Sequence, residues 1–145
     1  MLPAMHEPDP RRGVLELREE PDGILYVTAD GELSEEMVRS IAAASRRIAE
    51  SGREVLALAD VSRIKAIPHD VRKLMAGGSL GARHDAVAVV GASFTLRVLA
   101  TLTLRSVNLL TSRSYPVDFF ATEAEACAWL LARRDEIRAR QPPAA

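Results

Sequence analysis

The chain has 145 residues, 48% hydrophobic and 27% charged, with a formal net charge of −1. That length suits one domain with its own core, and the balanced charge gives no general attraction to nucleic acid or an anionic membrane. The one cysteine, Cys127, has no intramolecular disulfide partner, and neither a signal-like apolar core nor an 18-residue apolar run is present, so a soluble, cytoplasmic protein is expected.

Residues 1–12 carry three prolines and no hydrophobic periodicity and are expected as a flexible arm, with 140–145 as a disordered tail around one domain at 13–139. Val14–Arg18 and Ile24–Thr28 are strand-like runs joined by Pro21-Asp22-Gly23, where proline presets φ and glycine supplies a positive φ, so a hairpin is predicted. Ser34 is placed to cap a helix with Glu35 and Glu36 at its positive end. Met37, Ile41, Ala44 and Ile48 then recur at helical spacing, and Gly52 ends the run. Glu54–Asp60 is a nearly continuous apolar stretch, typical of a strand covered on both faces. A short polar loop is expected after it, then a helix from Pro68 or His69 that fades at Gly77-Gly78.

Ala86–Gly91 reads as another buried strand, and Ser93 as the cap of a long helix to about Leu110. Val117–Ala121 is the last strand, and Thr122 with Glu125 is a capping box for a final helix through Arg138. The order ββαβαβαβα predicts a single α/β domain. Its sheet of about five mostly parallel strands has an N-terminal edge hairpin, accompanied by about four helices.

The triplet Pro68-His69-Asp70 is good helix-starting chemistry, because proline fits the first turn and aspartate suits the positive end. It also stands near the carboxyl end of a parallel strand, where open α/β sheets bind ligands. Asp60, Ser62, Pro68, His69 and Asp70 are therefore the candidate switch or binding position, with His69 a contact residue rather than a catalyst. No nucleophile elbow G-x-S-x-G is present, no catalytic constellation is recognised, and a non-enzymatic protein is expected. His6, His69 and His84 are far apart and lack metal-ligand spacing, so neither a metal nor a cofactor is expected. Gly77-Gly78-Ser79-Leu80-Gly81 follows a helix and precedes a strand, the reverse of a phosphate loop, and reads as a connector. Gly91-Ala92-Ser93, with Arg97 a turn later, is better read as a tight turn with a serine cap than as an anion site.

The expected 94–110 helix is apolar over more than one stripe. A helix of that kind is buried or meets a partner. Phe94, Arg97, Val98, Leu99, Leu102, Arg105 and Leu109 are its candidate interface residues, serving a homodimer, another protein, or a lid over a cavity for a lipid or other hydrophobic small molecule. Cys127 is read as a small buried hydrophobe.

Three stretches carry a family resemblance: Val55-Leu56-Ala57-Leu58-Ala59-Asp60-Val61-Ser62, Ala88-Val89-Val90-Gly91-Ala92-Ser93, and Val117 through Leu130 with its Phe-Phe-Ala-Thr-Glu-x-Glu-Ala run. Together with the helix spacing they resemble STAS domains, and more closely the SpoIIAA-like relatives with a CRAL-TRIO-like fold, over about residues 14–138. The resemblance implies the fold of anti-sigma factor antagonists and a regulatory, protein-binding role. Antagonists of this type follow an Asp-Leu-Ser segment with an Asp-Ser-Ser-Gly motif whose serine is phosphorylated. Here Asp60-Val61-Ser62 matches the first part, and the second falls on Pro68-His69-Asp70-Val71. No hydroxyl residue lies from Arg63 through Met75, so the serine switch does not carry over.

Overall fold

The computed structural model describes residues 13–76, 84–98, 101–102 and 117–140. Strands β1 (Val14–Glu19) and β2 (Ile24–Glu32) form the expected antiparallel hairpin. In its turn Gly23 adopts φ +85°, and Asp22 Oδ1 accepts from the amide of Ile24 at 3.0 Å. Helix α1 (Glu35–Glu50) is capped by Ser34, whose Oγ accepts from the amide of Met37 at 3.2 Å. Next come β3 (Leu56–Ala66), α2 (His69–Ala76), β4 (Ala86–Val90), a helical stretch α3 (residues 94–98 and 101–102), β5 (Val117–Phe120) and α4 (Glu123–Arg140). The strands run in spatial order β1-β2-β3-β4-β5, with every pair parallel except the hairpin.

Alternation along the strands sorts the core into two faces. Ile24, Leu56, Leu58, Ala86, Ala88 and Val90 meet Ala126 and Leu130 of α4. Leu25, Val27 and Val55 meet Ala44 and Ile48 of α1, while Ala29 joins Leu33, Met37, Val38 and Val71 between α1 and α2. Glu54 ties the start of β3 to the end of α4 by accepting from Arg138 at 2.9 and 3.4 Å. That bond holds the Glu54 carboxyl below its ordinary value.

One expectation is corrected. The polar segment after Asp60 is no loop: β3 continues to Ala66, pairing Arg63, Ile64 and Ala66 with Asp30, Gly31 and Glu32 of a β2 longer than expected. The β3–β4 pairing ends at Asp60↔Val90, so this ribbon projects past the rest of the sheet. The expected arm at 1–12, the connector at 77–81, most of the tail, and Leu99, Arg105 and Leu109 lie outside the described residues.

Ser45 is a buried polar residue of α1. Its hydroxyl donates to the Ile41 carbonyl at 2.9 Å and lies 3.0 Å from His84 Nε2. A serine has one proton to give, so His84 must supply the hydrogen of the second bond, which fixes the neutral ring with the proton on Nε2. Burial holds the His84 pKa below its ordinary value despite the opposing charge of Asp85. The unfolded chain therefore takes up a proton first as the pH falls, and stability is lost as pH drops through about 6.5. The urea midpoint is expected to fall between about pH 7.5 and 5.5, and a His84→Gln variant to flatten that slope; equal slopes would remove His84 as its cause.

Candidate functional site

The first part of the expected site lies midway along β3, where its pairing with β4 ends. Asp60 Oδ1 accepts from both the amide (3.0 Å) and the hydroxyl (2.7 Å) of Ser62, so its carboxylate is committed to its own strand. The chain leaving β4 crosses directly over Ser62. Gly91 adopts φ +78°, and a Cβ there would stand 2.7 Å from Ser62 Cβ. Only glycine meets both conditions without strain. The turn continues into Ser93, whose Oγ accepts from the amide of Leu96 at 3.2 Å and so caps α3 as its position predicted.

From α3, Arg97 reaches back to place its guanidinium 5.6 Å from the centre of the Phe119 ring. Phe120, its neighbour on β5, turns to the other face and packs against Trp129 of α4 at 5.4 Å. Phe94, Val98 and Leu102 at i, i+4 and i+8 form a stripe with 83%, 43% and 54% of their surface exposed. A line of exposed large apolar side chains is characteristic of interaction surfaces.

The remaining part of the expected site lies elsewhere. His69 opens α2 and is exposed, and the amide of Arg72 donates to the Pro68 carbonyl at 3.0 Å in the first turn. Pro68 and Asp70 line a groove of about 1030 Å³ with β1 and the start of α1. The candidate position thus divides: Asp60 and Ser62 belong with Gly91, Pro68 and Asp70 with α1.

Sequence reasoning missed a cluster around Tyr26. Its hydroxyl is 2.9 Å from Cys127 Sγ and 3.2 Å from Asp22 Oδ2, and the Arg18 guanidinium lies 5.1 Å over its ring. Burial, followed by the thiol and the carboxylate, pushes the phenol well above its ordinary range. Cys127 is half-buried against the α4-side core, and its sulfur carries a polar partner beyond the plain hydrophobic role expected of it. The pairing spans 101 residues of sequence and leaves no local signal.

The sequence profile of the SpoIIAA-like family matches residues 24–131. The chain belongs to the SpoIIAA-like family. No curated protein matches it significantly. Among solved structures, this SpoIIAA-like chain is similar to an uncharacterised protein of Shewanella loihica with a SpoIIAA-like fold. The identity is 21% and the TM-score 0.53, covering 81% of this chain and 93% of that one. It is also similar to an anti-sigma factor antagonist of Mycobacterium paratuberculosis, with 15% identity and a TM-score of 0.54, covering 84% and 97%. At these identities the likeness establishes the shared fold. Among the described residues no helix is long and apolar enough to cross a membrane.

Proposed function

We propose that this SpoIIAA-like domain is a non-enzymatic, cytoplasmic regulatory module that works through protein contacts, as a homodimer or with a partner protein, and without a serine phosphorylation switch. The observation that carries this reading is the exposed stripe Phe94-Val98-Leu102. Two further features support it. The carboxylate and hydroxyl at Asp60 and Ser62 bond to each other, and the resemblance aligns Pro68-His69-Asp70 with the family's phosphorylated motif.

The test is solution size with a matched surface change. The protein is expected to elute as a dimer, or to capture a specific partner, with Phe94→Asp weakening that association at least about tenfold. Phe94 is so exposed that the substitution is expected to change the unfolding free energy by no more than about 0.5 kcal/mol. Light scattering read beside thermal melts separates the two effects. A strictly monomeric protein that captures no partner would sink the reading. A stoichiometric non-protein adduct in native mass spectrometry would instead indicate a carrier of a hydrophobic small molecule.

A further inference from the structure

A hairpin adds a strand without adding a helix. Each parallel crossover in this fold brings a helix onto the sheet, but β1 joins β2 through a two-stranded turn and contributes no cover of its own. On the α1 side of β1, Leu15 and Leu17 are consequently only half-buried. They form the apolar wall of the groove of about 1030 Å³, with Leu33, Met37 and Val71 at its base.

Among the described residues, the charged side chains that line this groove are all acidic. Glu32 from the end of β2, Glu35 and Glu36 from the first turn of α1, and Asp70 from α2 all line it. The surface continues along α1 past Ser40 to Ala43, where Arg39 is the one cation lining it among the described residues. Arg39 is bound to Glu35 at 2.6 Å and Glu36 has an interaction of its own, and together these reduce part of that charge. Carboxylates in the first turn suit the helix dipole, which accounts for Glu35 and Glu36 as stabilisers of α1. The same effect accounts for Asp70 in the first turn of α2, but not for Glu32 at the end of β2, and carboxylates from all three elements converge on the same opening. An apolar trough edged by carboxylates from three elements is complementary to an apolar stripe flanked by cations.

We propose that the groove between β1, α1 and α2 docks a basic amphipathic helix of a partner protein, its leucine-like stripe on Leu15 and Leu17 and its arginines or lysines against Glu32, Glu35, Glu36 and Asp70. The proposal rests on the regulatory reading for the kind of partner, but it uses a surface apart from the Phe94 stripe, so each fails separately.

The probe is a fluorescein-labelled synthetic helix with leucines on one face and flanking arginines, titrated into the full chain and followed by anisotropy. A second helix keeps the leucines and carries glutamates in place of the arginines. Saturable binding of the arginine helix alone is expected, weakening about tenfold between low and ~0.5 M salt. Leu17→Asp is expected to abolish it. The triple variant Glu32→Gln, Glu36→Gln, Asp70→Asn keeps the side-chain shapes and is expected to lose about tenfold in affinity. Glu123→Gln, on α4, controls for a general charge effect and is expected to bind like the parent chain. Phe94→Asp is also expected to bind like the parent, which separates this groove from the α3 stripe. Equal binding of the two helices, no saturable binding, or unchanged binding by the folded triple variant would each overturn the proposal. So would a dimer of the chain itself that dissociates in Leu17→Asp, because the occupant would then be a second copy.

Discussion

Leu130→Ala is expected to lower the unfolding free energy by about 3–4 kcal/mol, the range of a leucine truncated in a site that cannot collapse. Two of the 18 residues of α4, Ala126 and Leu130, are buried, and both have no exposed surface. Alanine 126 has almost nothing to truncate, so Leu130 is the main apolar plug that this helix drives into Ile24, Leu56, Leu58, Ala86 and Ala88. The strands opposite place Ala86 and Ala88 at this face. Small residues on a rigid sheet leave little side chain able to move into a void. The control is Leu131→Ala at a half-buried neighbour, expected to cost about 1 kcal/mol by area bookkeeping. Urea unfolding with an unchanged slope measures both. A Leu130→Ala cost below about 1.5 kcal/mol would mean that the α4 layer repacks readily and does not seal this face of the sheet.

How much of this was legible in the sequence follows from where each signal lives. The hairpin was readable because Pro21-Asp22-Gly23 is a local conformational instruction, and Ser34, Ser93 and Thr122 were readable as caps for the same reason. Parallel order followed from strands alternating with helices. The extension of β3 to Ala66 was not readable. Ser62-Arg63-Ile64-Lys65 is polar because that ribbon has β2 on one side and no β4 on the other, and a strand so little covered has the composition of a loop. Its strand character comes from pairing with Asp30–Glu32, a tertiary cause.

The site shows the same division. Pro68-His69-Asp70 was recognisable as a helix start, which it is. The Asp60–Ser62 bond is a local i to i+2 contact of a kind aspartate favours, whereas nothing in the sequence indicated that Pro68 and Asp70 would open onto a groove beside β1. The Ser45–His84 pair was partly within reach, since Ser45 lies four residues after Ile41 and three before Ile48 and so falls on the apolar face of α1. A serine there calls for a hydrogen-bond partner, though not for His84 in particular.

Gly91→Ala is expected to cost about 2–5 kcal/mol, from two separable causes. A left-handed φ of +78° penalises any Cβ by about 1–2 kcal/mol, and the new methyl would press on Ser62 at a further cost of about 1–3 kcal/mol. The second cause can be removed on its own. In a Ser62→Gly background the 2.7 Å contact with the Ser62 side chain no longer exists, while the backbone approaches of 3.2 and 3.3 Å to Cα and N remain. Gly91→Ala is then expected to cost about 1–2 kcal/mol, giving a coupling energy near 1–3 kcal/mol between the two positions.

The same crossing point sets where α3 begins, because Gly91, the Ser93 cap and the Arg97–Phe119 contact follow one another within seven residues. Displacing it shifts Phe94, Val98 and Leu102 together. Gly91→Ala is accordingly expected to weaken self-association or partner capture as well as stability, and Ser62→Gly to restore part of both. A Gly91→Ala cost that stays the same in the Ser62→Gly background would assign the entire effect to φ, and association that is unchanged despite the lost stability would detach the α3 stripe from this turn.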